Sequence, residues 1–222
     1  MINKNNGFTL AEVLITLVII GVIASMTIPT LMNNTNKQEI VAKLKKNYSV
    51  FARATNLIIA ENGSPRADIG GWATSPEAVY KLYRKYLRVS KDCGSGTECF
   101  EKMITGNGFY KILNGTNYSN SHFSSNQYYK IILADGTQVL FAEIYDNCAT
   151  SVFASNNVCQ HIWLDINGEK KPNQWGRDMF IFVLKENGLF PAGCDENSPN
   201  CNTNSHGWDC TCKVLREGAI NY

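Results

Sequence analysis

The sequence has few charges of either sign, few histidines and no motif of a common enzyme site. Charged residues make up 18% of the 222 residues and the formal net charge is +2. No long basic run occurs, so the charge pattern of a nucleic-acid-binding protein is missing. No G-x-S-x-G, H-E-x-x-H or phosphate-loop motif occurs, and the histidines show no triad pattern (His122, His161 and His206). We therefore predict a protein that is not an enzyme and uses no cofactor.

Cysteine is absent from the first part of the chain and concentrated in the rest. All eight cysteines lie from Cys93 to Cys212. An even number confined to one region predicts disulfides formed in an oxidising compartment. Cys93 and Cys99 bracket a short Gly-Ser-Gly-Thr loop, which favours a local bridge. We expect Cys148 and Cys159 to form a second loop bridge.

The remaining cysteines allow two interpretations. Cys194, Cys201, Cys210 and Cys212, with His206, could supply four tetrahedral ligands to zinc. Neither cysteine pair has the usual two-residue gap, and the compartment is expected to be oxidising. We therefore favour disulfides over metal, although the sequence does not fix how these cysteines pair.

The N-terminal region contains a long apolar run. Residues 8–31 carry a single charge, Glu12, and are otherwise apolar or small. As a helix they would extend about 36 Å, which exceeds the roughly 30 Å of a bilayer core. The preceding residues 1–7 are short and polar, and no A-x-A site closes the run, so an ordinary secretory signal peptide fits less well.

The helical pattern continues beyond the apolar run to residue 62. Gly21 and Pro29 are expected to loosen or kink the helix, because proline removes a backbone donor. Asn62-Gly63 is a plausible helix stop. From residue 37 onward, apolar residues recur at helical spacing, with Thr55 filling one gap in the stripe (Ile40, Val41, Leu44, Tyr48, Phe51, Ile58 and Ile59).

These residues resemble the class III signal of type IV pilins and type II secretion pseudopilins. The string Gly7-Phe8-Thr9-Leu10-Ala11-Glu12, the apolar run after it and Pro29 meet every position of that pattern. The resemblance implies that a prepilin peptidase cuts between Gly7 and Phe8 and that the new amino group of Phe8 is N-methylated. It also implies a subunit that assembles with itself or with other pilin-like subunits, through a membrane-bound pilus or type II secretion machinery.

Glu12 is the residue on which this interpretation depends. A carboxylate inside a membrane helix costs about 2.5–3.5 kcal/mol on insertion scales, so it is a functional candidate. In a staggered stack, Glu12 of one subunit would meet the Phe8 amine of its neighbour, and this pair would set the register. The simpler alternative places Glu12 at the headgroup boundary, where it is solvated.

The rest of the chain predicts a disulfide-containing globular domain over residues 63–222. Ser75 and Pro76 indicate a helix start. Residues 106–127 are rich in Asn, Ser and Gly and indicate a surface loop. Asp135-Gly136 predicts a β-hairpin between residues 128–134 and 137–144. Further strands are expected at residues 161–166 and 179–184, and a last short strand near Tyr222.

The predicted fold class is therefore α+β. It comprises a leader (1–7), an N-terminal helix (8–62, with 8–31 as its membrane and assembly part) and the domain of residues 63–222. As in pilins, the helix is expected to pack on an antiparallel sheet. Asp165, Glu169 and Asp178 could offer oxygen ligands to calcium, as in some pseudopilins, but a plain Asn167-Gly168 turn between strands is favoured.

Three functional hypotheses remain. The preferred one is a structural prepilin-like subunit of a type IV pilus or a type II pseudopilus, held in the cytoplasmic membrane by one span with its domain outside. The second is a single-span membrane-anchored protein whose outer domain binds a ligand and does not polymerise. The third is an exported metal-dependent enzyme.

Overall fold

The computed structural model describes residues 8–63, 75–101, 110–119, 121–145, 148–195 and 201–222. The predicted leader, which includes Gly7, and Trp72 lie outside these ranges, and the side chains of Thr30 and Asn33 are not described. The chain divides into two compact units, one ending at Glu39 and the other formed by Ile40–Tyr222.

Helix α1 spans Leu10–Asn62 and contains Pro29 in its interior. From Ile40 onward it buries one face in the second unit, and the predicted stripe is confirmed there. Six of the predicted positions are buried (Ile40, Val41, Leu44, Phe51, Thr55 and Ile58), while Tyr48 and Ile59 are half-buried. The helix stops at the predicted position, where Gly63 has a φ of 76° and donates its N–H to the Ile59 carbonyl.

The other elements follow in an α+β order. They are α2 (Pro76–Tyr83), β1 (Val89–Gly94), α3 (Ser121–Ser124), β2 (Tyr129–Leu133), β3 (Gln138–Ile144), β4 (Thr150–Val152), β5 (Ser155–Val158), β6 (Gln160–Asp165), β7 (Met179–Lys185), β8 (Gly188–Pro191) and α4 (Cys210–Glu217). Six strands form one antiparallel sheet in the order β1-β2-β3-β6-β7-β8, and β4 and β5 pair as a separate hairpin.

Two predicted local signals are confirmed in detail. Ser75 caps α2, because its hydroxyl accepts the Ala78 N–H at 3.2 Å, and Pro76 occupies the first helical turn. β2 and β3 pair on either side of Asp135-Gly136, where Gly136 has a φ of 84°. A residue with a side chain is disfavoured in that backbone conformation, which explains the glycine.

One core lies between the second part of α1, α2 and one face of the sheet. Phe51 is fully buried at its centre, with ring centroids 5.8 Å from Tyr83, 6.4 Å from Phe141 and 6.0 Å from Phe182. Burial of such a side chain contributes about 1.5–3 kcal/mol. Asn47 adds a buried polar tie, since its Nδ2 donates to Thr137 Oγ1 at 3.0 Å.

A second core covers the opposite face of the sheet and is rich in aromatic rings. The predicted surface loop at residues 106–127 is wrong in its described part, because this segment supplies buried side chains and the short helix α3. Phe123 of α3 is fully buried and stacks on Tyr110 at 4.4 Å. The few apolar residues among the Asn and Ser residues therefore determine the position of this segment.

The predicted last strand near Tyr222 is also wrong. Helix α4 occupies Cys210–Glu217 and ends at Gly218, which has a φ of 68°. Beyond it the chain continues without a strand, and the Tyr222 hydroxyl donates to the Gly176 carbonyl. Two disulfides involve α4, and its Val214 is fully buried in the first core. These contacts favour a helix that buries one side.

The Asn167-Gly168 turn between β6 and β7 is present, with Gly168 at a φ of 64°. Two buried carboxylates flank the loop that follows it. Tyr110 donates to Asp165 at 2.6 Å, and Asp178 accepts the backbone N–H groups of residues 173 and 174 at 2.7 and 2.6 Å. Burial raises the pKa of Asp165 well above its usual value and that of Asp178 to about 6. Asp165 and Asp178 therefore hold a proton at pH values at which exposed carboxylates are ionised.

Candidate processing and assembly site

The start of α1 is organised by Thr9 and Glu12. The Thr9 backbone N–H and hydroxyl both donate to Glu12 Oε2, at 2.8 and 2.7 Å. In return, the Glu12 N–H donates to Thr9 Oγ1 at 3.3 Å. This reciprocal arrangement is a capping box, which satisfies donors that a helix start otherwise leaves unpaired. Within the single chain, the Glu12 carboxylate is therefore stabilised by two donors at its own helix end.

Phe8 directly precedes this cap and is 90% exposed. Phe8 lies next to Thr9 and outside the helix. Its predicted partner in cleavage, Gly7, lies outside the described residues.

The surface of the first part of α1, up to Met32, is apolar and exposed. Sixteen large apolar side chains of the described chain are exposed, and fifteen of them lie from Phe8 to Met32. By length and composition α1 could cross a membrane, with a mean hydropathy of 2.3 in its most apolar window. Such a surface is stable only against lipid or against other helices.

Three hydroxyl side chains of this segment form hydrogen bonds within the helix. Thr16, Ser25 and Thr27 donate to the carbonyls of Val13, Val22 and Ile23 at 2.9, 2.7 and 3.0 Å. Hydroxyls bonded in this way can enter an apolar environment without an external partner. Glu12, the one ionisable side chain of residues 8–31, differs from these hydroxyls because it carries a charge.

Gly21 and Pro29 lie within this helix segment. A Cβ added at Gly21 would meet no atom within 4 Å, so the glycine fills no packing need inside the single chain. The helix continues on both sides of Pro29, although proline supplies no N–H to the preceding turn. Their expected roles in loosening or kinking the helix stay predictions.

The cysteines are joined in four disulfides. Cys93 pairs with Cys99 and Cys148 with Cys159, as the loop lengths favour. The pairing that the sequence left open is Cys194 with Cys212 and Cys201 with Cys210. Their sulfurs are thus not available as thiolate ligands, and no group of three or more possible metal ligands occurs in the described ranges.

The capping box is the feature that the sequence analysis missed. Its signal is present, because Thr9 and Glu12 have the Thr-x-x-Glu spacing directly before an apolar run.

The N-terminal geometry agrees with the comparison to known families. Residues 2–28 match the Prokaryotic N-terminal methylation motif, so the chain carries the prepilin signal of type IV pilins and pseudopilins. This signal marks a pilin-type substrate of a prepilin peptidase, and with the apolar helix it fits a membrane-anchored protein. Residues 30–221 match a Family of unknown function (DUF6613), and the chain belongs to that family. No curated protein and no solved structure matches the chain.

Proposed function

We propose that this protein is a structural subunit of a type IV pilus or a type II secretion pseudopilus. In this proposal a prepilin peptidase cleaves after Gly7 and methylates the amino group of Phe8. The mature chain then joins copies of itself or related subunits through its apolar helix. The observation that carries the proposal is a single carboxylate, Glu12, at the start of an uncovered apolar helix next to the predicted new N-terminus.

The partner of Glu12 in the filament is the amino group that cleavage creates. Both Thr9 bonds use Oε2, so the carboxylate has remaining acceptor capacity at Oε1. In an apolar helix bundle, an ion pair between the Phe8 amine of one subunit and Glu12 of the next is only weakly screened. A misaligned pair leaves buried charges without partners, which disfavours every other register.

The globular unit belongs outside the cytoplasm in this proposal. Its support is the set of four disulfides, which form and persist in oxidising compartments. The lysines give no help with orientation, because Lys4 lies before the apolar run while several others follow it (Lys37, Lys43, Lys45 and Lys46).

The test separates the charge of Glu12 from its capping role. Glu12→Gln keeps a side chain that can complete the capping box but removes the charge. Thr9→Val is the matched control, because it removes the hydroxyl bonds and keeps the charge. We expect membrane insertion and cleavage in both variants, filaments in Thr9→Val, and few or no filaments in Glu12→Gln when the bacterial surface and the sheared fraction are examined.

Two results would contradict the proposal. One is normal filament formation by Glu12→Gln with loss in Thr9→Val, which would assign Glu12 a capping role alone. The other is a mature protein that retains Met1, measured by mass spectrometry of the N-terminal peptide. The second result would favour the alternative, a single-span anchored binding protein that does not polymerise.

A further inference from the structure

A small aromatic pocket lies in the globular unit, on the side of the second core. It has a volume of about 120 Å³ and is lined by Phe153, His206, Trp208 and Asp209. The rings of Phe153 and Trp208 are 6.0 Å apart and nearly perpendicular, at 83°. His206 stacks on Trp208 at 4.5 Å. Three aromatic residues and one aspartate thus border the same space.

The Phe153 wall is held in an unfavourable backbone conformation. Phe153 and Ala154 form the two-residue turn between β4 and β5, and both have positive φ, at 51° and 47°. Turns of this kind normally carry Asn or Gly, because a bulky side chain is disfavoured there. Strained residues of this type concentrate at functional sites. The turn therefore presents an aromatic ring at a position where the backbone alone favours glycine.

The opposite wall is fixed by close backbone packing. Gly207 has a φ of 85°, and a Cβ there would lie 2.6 Å from the Trp175 carbonyl oxygen. A Cβ on Gly193 would lie 2.0 Å from the carbonyl oxygen of Asp209. Two disulfides tie the same region down, because Cys210 and Cys212 directly follow Asp209 in the chain.

Hydrogen bonds connect the β4–β5 hairpin to residues 193–195, the segment that packs against Asp209. The Gly193 N–H donates to Ser155 Oγ at 3.2 Å, next to the strained turn. The Asn156 N–H donates to Asp195 Oδ2 at 2.6 Å. A pocket whose walls are already fixed loses little conformational entropy when a ligand enters.

Asp209 contributes the only charge of the four lining residues. It stands at the N-cap position of α4, but its side chain makes no capping hydrogen bond to that helix. Aspartate at this position usually accepts a backbone N–H of the first turn. Asp209 borders the pocket, and its side chain does not take this structural role.

We propose that the aromatic pocket binds a small alkylated ammonium ion, with quaternary ammonium as the best fit. Such ions are attracted to the faces of aromatic rings, and a carboxylate adds charge complementarity. His206, Trp208 and Asp209 also carry polar groups that could bind the hydroxyls of a sugar, so glucose is tested as the competing ligand. None of the four lining residues belongs to the apolar helix on which the proposed assembly rests.

The first experiment titrates the full-length protein with choline, observed through the ligand's NMR signals. A polyoxyethylene detergent is used because it carries neither choline nor a sugar headgroup. The neutral analogue 3,3-dimethylbutan-1-ol has nearly the shape of choline without its charge. We expect choline to bind at one site and the analogue to bind roughly tenfold more weakly. The analogue lacks the positive charge, so it loses the cation–π attraction, and such a loss corresponds to about tenfold in affinity.

Two variants test the walls. Phe153→Gly removes the ring while it relieves the positive-φ strain, so the fold should persist and choline affinity should fall roughly tenfold. Ala154→Gly is the matched control, because it relaxes the same turn and retains the ring. Asp209→Asn should lower choline affinity and leave binding of the neutral analogue unchanged.

Several outcomes would overturn the proposal. They are equal affinity for choline and the neutral analogue, no binding of choline, or unchanged choline binding by Phe153→Gly. Binding of glucose that the Phe153→Gly variant abolishes, in the absence of choline binding, would identify a sugar site instead.

Discussion

A buried hydroxyl relay between α1 and α2 provides a quantitative test of the fold. Thr55 Oγ1 donates to the Phe51 carbonyl at 2.8 Å and lies 2.6 Å from the Tyr83 hydroxyl. Since Thr55 has one hydroxyl proton, Tyr83 must be the donor in the second bond. Both residues are fully buried, and burial raises the pKa of Tyr83, which therefore keeps its proton.

The perturbation is a double-mutant cycle. Thr55→Val keeps the shape of the side chain but leaves the Tyr83 hydroxyl buried without an acceptor, at a cost of about 1–3 kcal/mol. Tyr83→Phe removes a donor and leaves the Thr55–Phe51 bond intact, so it should cost about 0.5–1.5 kcal/mol. The double variant buries only apolar groups there. It should be less destabilised than the sum of the single variants, by about 1 kcal/mol.

The assay is thermal unfolding of the full-length protein in detergent, followed by tryptophan fluorescence. All four tryptophans lie beyond α1, so the signal reports on the globular unit. In a domain of this size, 1 kcal/mol corresponds to about 2–4 °C in Tm. Strict additivity of the two single changes, or a Thr55→Val variant as stable as the parent, would refute the proposed relay.

Two further predictions concern a glycine and a carboxylate. Gly193→Ala should lower the free energy of unfolding by about 3 kcal/mol or prevent folding, because the added Cβ would meet the Asp209 carbonyl. Gly136→Ala is the control: its Cβ has open space, so it should cost only about 1–2 kcal/mol for the positive φ. Thermal unfolding of both variants measures the difference. Although burial alone would raise it, hydrogen bonds from His161 and Tyr128 and the charge of His161 lower the pKa of Glu143 to about 2. Burial lowers the pKa of His161, so its charge contributes only at acidic pH. Its stabilising contribution is present above about pH 4.3 and lost as the pH falls towards 2, so Glu143→Gln should flatten this part of the Tm–pH curve.

Local signals in the sequence were sufficient where the chemistry of neighbouring residues decides the structure. The Asp135-Gly136 turn, the Ser75 cap and the apolar stripe of α1 each depend on residues within a few positions of one another. These features, with the cluster of cysteines, gave the α+β class and the order helix, then sheet. The same holds for Glu12, whose isolation in an apolar run is visible without a structure.

Distant contacts account for what the sequence could not predict. Helix α4 has polar residues and two cysteines, so its short pattern was weaker than the disulfides and core contacts that hold it. Phe123 and Tyr110 were hidden in a segment whose composition is that of a loop. Phe153 and Trp208 line the same pocket although they are far apart in the sequence. The positive φ of Phe153 also departs from the residue preferences of two-residue turns, so the sequence did not predict it.

The capping box changes how the energetics of the proposed assembly should be understood. A Glu12 without any partner would oppose membrane insertion of the single subunit, but two donors from Thr9 offset part of that cost before assembly. The Phe8 amine of a neighbour would then be added to, or exchanged for, bonds that already exist. The net gain per pair is therefore smaller than the attraction between two bare charges. Under this proposal the many exposed apolar side chains of α1 supply most of the association energy, and Glu12 selects the register.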